Sequence, residues 1–310
     1  MKRTAVLAMA YGTPATLSDL ETYYTHIRGG RSPSPDLLEE LRQRYEAIGG
    51  RSPLLEITRA QAAALKAALR VAGHDVEVVV GMKHAPPFIE DAARDLIAAG
   101  IEHVIGLVLA PHYSSMSVGE YASRASAALG DGPGAPSFAM VRSWATAPGY
   151  VDWLADAVRV GLGQLGPAAA RAEVVFTAHS LPERVVAGGD LYPGELCATA
   201  EAVARVAGLA RWSVAWQSAG RTADPWIGPD ILEVLPRIAE AGATGVVVCP
   251  AGFVADHLEV LYDLDIEAAA AARELVLPFA RTRSPNADAG LIAALADIVA
   301  PLLEPEPACR

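Results

Sequence analysis

Short apolar runs alternate with longer amphipathic stretches along the first half of the chain: residues 5–10, then 61–72, 76–81, 87–99 and 104–110. The short runs have the length of buried strands, and the longer ones repeat apolar positions three and four apart, as a helix lying on a sheet does. This order predicts βαβ units and a parallel sheet flanked by helices. The alternation restarts at residue 173, where an apolar strand ends in Thr177-Ala178-His179-Ser180-Leu181-Pro182. A helical pattern over about 194–207 follows, then further strands at 212–216 and 245–249.

The two halves echo each other. Met9-Ala10-Tyr11-Gly12-Thr13-Pro14 closes the first strand of one half, and aligns with Thr177–Pro182 with Ala, a ring and Pro in register, 179 − 11 = 168 positions apart. A second echo pairs Pro87-Phe88-Ile89 with Pro225-Trp226-Ile227, each followed by a helix, a glycine (Gly100, Gly242) and another strand. An internal duplication of this kind predicts an α/β protein of two similar Rossmann-like domains with parallel sheets. Ligands of such sheets lie beyond the carboxyl ends of the strands, so two facing domains would set Tyr11 and His179 on opposite walls of one cleft. Pro- and Gly-rich stretches at 29–35, 130–136 and 283–285 punctuate the chain. The middle one reads as the linker, near residue 140. The expected domains are 1–140 and 141–285, with the helical pattern in 286–310 packing back on the first.

Composition narrows the class. A 310-residue chain suits two domains, and 52% hydrophobic with 20% charged residues excludes disorder. No apolar run approaches the ~20 residues of a membrane-spanning helix, so no stable membrane insertion is expected. Lys2, Arg3 and Ala8-Met9-Ala10 imitate a signal peptide, but cleavage there would remove a core strand. The net charge of −11 argues against nucleic acid. Cys197, Cys249 and Cys309 are odd in number and far apart, which indicates neither a disulfide framework nor a Cys-x-x-Cys metal site, and suits the cytoplasm.

Three constellations carry candidate chemistry. His179, at a strand end before Pro182, is either a hydrogen-bonded structural residue or an imidazole placed to take a proton or bind a metal. In Val254-Ala255-Asp256-His257-Leu258-Glu259 and on to Glu267, the carboxylates of Asp256, Glu259, Asp263 and Glu267 fall three, four and four apart, on one face of a helix. That face is either solvated or a path for protons or a divalent cation, since stacked like charges call for relief. Mixed nitrogen and oxygen donors suit ferrous iron and other first-row metals. Arg28, Arg31, Arg42, Arg44 and Arg51 crowd one 24-residue stretch beside Tyr23, Tyr24 and Tyr45. They either pair with Glu39, Glu40 and Glu46 or hold an anionic, aromatic ligand through bidentate guanidinium contacts. Trp216-Gln217-Ser218 and Asp224-Pro225-Trp226 are assigned to the cleft wall without a chemical role.

With these residues in view the chain resembles the ferrochelatases. The resemblance rests on Met9–Pro14, Tyr24–Arg28, Arg44-Tyr45-Glu46-Ala47-Ile48-Gly49-Gly50, Leu109-Ala110-Pro111-His112-Tyr113-Ser114, Thr177–Pro182 and Gly252-Phe253-Val254-Ala255-Asp256-His257-Leu258-Glu259. It implies a chelatase-like pair of domains with a porphyrin cleft between them, and insertion of ferrous iron as a substrate. It further implies that His179 and Glu259 are the metal-site pair, with Asp263 and Glu267 continuing the acidic row. Tyr11 matches a tyrosine of the coproporphyrin III branch, where protoporphyrin enzymes typically carry Met. Arg28, Arg44, Tyr45, Ser52 and Tyr121 match positions that hold propionates in that branch. The implied function is coproporphyrin III ferrochelatase, giving coproheme in haem biosynthesis. The rivals are a chelatase for protoporphyrin IX or sirohydrochlorin, and a non-catalytic haem or porphyrin carrier. The four cysteines that bind a [2Fe–2S] cluster in some relatives have no counterpart set, so no cluster is expected, nor is the hydrophobic lip of membrane-bound relatives evident. A cytoplasmic monomer is expected.

Overall fold

In the computed structural model, which describes residues 3–222 and 224–303, the alternating pattern folds into two four-stranded parallel sheets. The first has the order β2-β1-β3-β4, with β1 Thr4–Ala10, β2 Glu77–Met82, β3 His103–Val108 and β4 Ser137–Val141. The second has the order β6-β5-β7-β8, with β5 Glu173–His179, β6 Trp212–Gln217, β7 Val246–Cys249 and β8 Phe279–Arg281. The central strands are apolar on both faces because helices cover both, as parallel sheets require. Val247 and Val248 of β7, and Val6 and Leu7 of β1, are fully buried.

The duplication is exact at the level of strand register. Ala5 pairs with Val104 as Glu173 pairs with Val246, offsets of 173 − 5 = 168 and 246 − 104 = 142. Helices Ile89–Ala98 and Ile231–Glu240 keep the second offset, 231 − 89 = 142. The second echo expected from the sequence is therefore shifted by four residues. The backbone N–H of Met82 donates to Pro87 O (2.7 Å) as that of Trp216 donates to Pro229 O (2.9 Å), so Pro229-Asp230-Ile231 is the counterpart of Pro87-Phe88-Ile89.

The chain divides into two compact units. One takes the described residues up to Ala110, Met116–Trp144 and those from Asn286 on; the other takes Pro111–Ser115 and Ala145–Pro285. The stretch 130–136, expected as the linker, instead joins helix Val118–Leu129 to β4, which pairs with β3 inside the first unit. The crossing falls after Trp144, whose indole N–H donates to Val108 O (3.1 Å). Pro111–Ser115 belongs with the second unit because Glu195 accepts from the Tyr113 N–H (2.7 Å) and Asp190 from that of Ser115 (2.7 Å). Helix Ala289–Leu303 packs on helix Leu54–Val71, with Gln61 donating to Asn286 O (2.9 Å). Leu65 and Leu69 are buried on that face, each contributing about 2 kcal/mol by transfer from water. The segment beyond residue 303, Cys309 included, lies outside the described residues. Among the described residues no helix is long and apolar enough to cross a membrane.

Candidate metal-accepting site

His179 is the last residue of β5, where the strand delivers its side chain to the carboxyl edge of the sheet. Its Nδ1 meets the Ser180 carbonyl, an acceptor that fixes the ring and leaves Nε2 3.5 Å from Glu259 Oε1. An imidazole whose second nitrogen is held by a carbonyl is oriented as metal-binding histidines are. Glu259 reaches this point because the turn after β7 lies on the end of β5. Gly252 donates to Thr177 O (2.9 Å), and a Cβ at position 252 would stand 2.5 Å from Ala178 Cβ, so the approach requires glycine.

The pair shares charge. Burial opposes the imidazolium, but the charge and hydrogen bonding of Glu259, the Ser180 carbonyl and Asp263 outweigh it and push His179 up to about 9. Burial likewise opposes the carboxylate, and His179 and then His257 hold Glu259 well below the usual carboxylate range. Each partner thus favours the charged form of the other. His257 closes the other side of Glu259, with Nε2 3.4 Å from Oε2 and Nδ1 donating to Ala255 O (2.9 Å). Among the described residues no group of three or more His, Cys, Asp or Glu is placed to hold a metal ion.

The carboxylate row takes a different form from the one the spacing implied. Val260–Ala268 is a π-helix, whose wider i→i+5 turn keeps Glu259, Asp263 and Glu267 along one side. Glu259 is half-buried, Asp263 buried and Glu267 exposed, so the row runs from His179 outward. Asp256 precedes the helix and leaves the row: it accepts from Ser284 Oγ (2.7 Å) and pairs with Arg281 (3.4 Å), which also clamps Asp265. Ser218 donates to Asp263.

In the first unit Tyr11 follows β1 and stays 39% exposed, with its ring 4.6 Å from His84. Lys83 Nζ lies 6.0 Å from the Tyr11 ring and 5.3 Å from that of Tyr121, and pairs with Glu120 (2.6 Å). His84 Nδ1 is 3.0 Å from His26 Nδ1. Burial, then the Lys83, His26 and Arg124 charges, push His84 down to about 3, so it is neutral.

The arginine cluster divides. Arg51 pairs with Glu56 and Arg42 with Glu39, as solvated helix charges do. Arg28 caps helix Leu20–Ile27 over the Tyr24 ring (5.8 Å), and its buried Nε has no hydrogen-bond partner among the described residues. Arg44 ends the half-buried side of helix Pro35–Ala47. Tyr45, Ser52 and Tyr121 are buried; the Tyr45 hydroxyl meets Thr13 (3.1 Å), and the Ser52 hydroxyl accepts from Leu54 N–H (3.4 Å).

Sequence reasoning missed Lys83, His84 and the polar bonds of Gln217 and Ser218, and gave His257 no role. The available signal was position: Lys83 and His84 follow an apolar strand of the first sheet, and Gln217 and Ser218 end and follow one of the second.

Two four-stranded parallel α/β units, the second with His179 at a strand end and Glu259 at the start of a helix, have the fold of chelatase-type proteins. The fold is similar to SirB from Bacillus subtilis, solved with Fe3+ (TM-score 0.59, 12% identity, 96% of this chain and 94% of that one). It is also similar to CbiX, the terminal enzyme of sirohaem biosynthesis in denitrifying bacteria (TM-score 0.53, 13% identity, 98% and 100%). The ferrochelatase family model matches residues 3–302, and the chain belongs to the ferrochelatase family, a family of metal chelatases. It is 44% identical over 302 residues to a protein of Geobacillus sp. (strain WCH70) named coproporphyrin III ferrochelatase, covering 96% of this chain and 97% of the relative. It is 45% identical, with the same coverage, to coproporphyrin III ferrochelatase 1 of Bacillus cereus (strain ATCC 14579).

Proposed function

We propose that this protein inserts ferrous iron into coproporphyrin III to give coproheme, with His179 and Glu259 as the residues that receive the iron. The observation that carries this reading is the pair itself: an imidazole nitrogen and a carboxylate oxygen 3.5 Å apart at the carboxyl edge of the second sheet. Insertion breaks two pyrrole N–H bonds and forms four Fe–N bonds, so two protons must leave. His179 takes them once iron has moved on, and Asp263 and Glu267 pass them outward. Tyr11 is a further porphyrin-binding residue in this reading. Arg28 and Arg44 hold propionates, with Tyr45, Ser52 and Tyr121 setting the wall behind them; each charged hydrogen bond is worth ~1.5–3 kcal/mol. Ring distortion would draw on this remote binding.

The chain supplies both iron ligands and the propionate-binding cations, which suits a monomer. A substrate with four carboxylates is water-soluble, which suits the cytoplasm. No resident iron–sulfur cluster is proposed: Cys249, pushed up to about 12 by burial, is a poor source of thiolate.

The test is an anaerobic assay, followed optically, with ferrous iron and either coproporphyrin III or protoporphyrin IX. Faster turnover of coproporphyrin III, abolished in a folded His179→Ala variant, is expected. Preference for protoporphyrin IX would reject the substrate, haem binding without insertion would leave a carrier, and normal turnover by His179→Ala would reject the pair.

A further inference from the structure

His179 and Glu259 reach the site on different elements, the end of β5 and the turn into the π-helix, and a small divalent ion tolerates donor displacements of only about 0.2 Å. One buried side chain ties these elements together. Gln217 ends β6, directly beside His179 in the strand register, and is 1% exposed. Its carboxamide oxygen accepts from Thr177 Oγ (2.8 Å), two residues before His179, and its Nε2 donates to the Glu259 carbonyl (3.1 Å). Its backbone carbonyl accepts from the Ser180 N–H (2.7 Å), beside the carbonyl that holds the His179 ring. Both ends of the carboxamide are used, so the bridge has one orientation and one length.

Resting on the reading of His179 and Glu259 as the iron-accepting pair, we propose that Gln217 is its positioning residue. It sets the separation of the two donors and thereby the affinity of the pair for a divalent ion. It touches neither metal nor porphyrin. Such supporting bonds typically govern 10–100-fold in metal affinity or activity.

Anaerobic titration with Co2+ and no porphyrin, followed by the cobalt d–d bands, reads the pair directly. Gln217→Met preserves length and loses both bonds; Thr177→Val removes only the anchor on β5. Gln217→Met is expected to weaken Co2+ binding about 10–100-fold, shift the bands and raise KM for ferrous iron, while coproporphyrin III quenching titrates as in the parent. Thr177→Val is expected to move the same way by less, and it decides the matter if Gln217→Met does not fold. Unchanged Co2+ affinity and bands in folded variants, with only the melting temperature lowered, would reduce Gln217 to a structural bond. Controls keep the two readings apart: if His179→Ala and Glu259→Gln bind Co2+ like the parent, the pair itself is wrong; if only they lose it, the inference about Gln217 alone fails.

Discussion

Tyr11 and His179 stand at the same place in two equivalent sheets and are surrounded by opposite charge. Val6 pairs with Val78 as Val174 pairs with Trp212, offsets of 174 − 6 = 168 and 212 − 78 = 134. Applied one step further along the strands, these put His179 at the position of Tyr11, Gln217 at that of Lys83 and Ser218 at that of His84. One backbone frame thus carries a buried ammonium beside a tyrosine in the first unit and a neutral carboxamide beside a histidine in the second. The two histidines differ in their surroundings: burial first, and then the Lys83, His26 and Arg124 charges, push His84 down to about 3, whereas Glu259, the Ser180 carbonyl and Asp263 outweigh burial and push His179 up to about 9. A fixed positive charge ~4 Å from another costs ~4 kcal/mol per unit of charge near a protein surface, so a lysine where Gln217 stands would repel a divalent ion. The same cation in the first unit favours anionic groups there. The fold supplies the strand-end position in both units, and the neighbouring side chains decide whether it suits a cation or an anion.

The largest break in this contrast is Glu259→Gln. Iron insertion is expected to fall at least about 100-fold, and His179 to drop from about 9 to or below its ordinary 6.5, because burial is then less opposed. The raised His179 value means that its share of the pair's stability is full below about 6.5 and lost as pH rises through about 9. Glu259, held low, adds stability above its ordinary 4.5 that is lost as pH falls. The parent's melting temperature should therefore decline between pH 6.5 and 9 relative to the variant's. NMR titration of the His179 Cε1–H checks the cause; a value still near 9 in Glu259→Gln would show that another group sets it.

A smaller effect is expected on the cationic side. Removing the guanidinium in Arg28→Ala should lower kcat/KM for coproporphyrin III about tenfold, near 1.4 kcal/mol. Co2+ binding at His179 and Glu259 should not move, since the charges that set that pair lie in its own unit. Equal loss of Co2+ and porphyrin affinity would contradict the division of tasks between the units.

The architecture was readable because strand-length apolar runs and helical periodicity are local, and the 168-residue echo places Tyr11 and His179 alike. Glu259 was readable too, as part of a carboxylate row adjoining a strand. What the row does is not local. Arg281, on β8, removes Asp256 from it, and the π-helix that carries the rest has no periodic signature distinct from an α-helix. Lys83 and Gln217 look alike in sequence, each a polar residue ending an apolar run; only pairing shows what each bonds. Tyr45, Ser52 and Tyr121 fall among the expected contacts through the resemblance alone, and burial of their side chains depends on packing between distant segments.

Two helices that close with the same pair of hydrogen bonds differ in the residue at the turn, with the smallest expected effect. Helix Ile89–Ala98 closes with Gly100 N–H donating to Ile97 O (2.9 Å) and Ile101 N–H to Leu96 O (3.1 Å), and Gly100 has φ +69°. Helix Ala269–Glu274, which continues the π-helix, closes with the same two bonds, from Val276 to Arg273 O (3.0 Å) and from Leu277 to Ala272 O (2.9 Å). Here the residue at positive φ, +53°, is Val276, 88% exposed. The left-handed conformation costs an L-residue ~1–2 kcal/mol, and glycine avoids this while adding ~0.5–1 kcal/mol of unfolded-chain entropy. Val276→Gly should therefore stabilise the protein by up to about 1 kcal/mol, raising the melting temperature by a few degrees. Iron insertion should be unchanged, because the substitution relieves the cap and leaves the bonds of Glu259 and Asp263 in place. A destabilised variant would mean that Val276 contributes more through its apolar surface than its backbone costs.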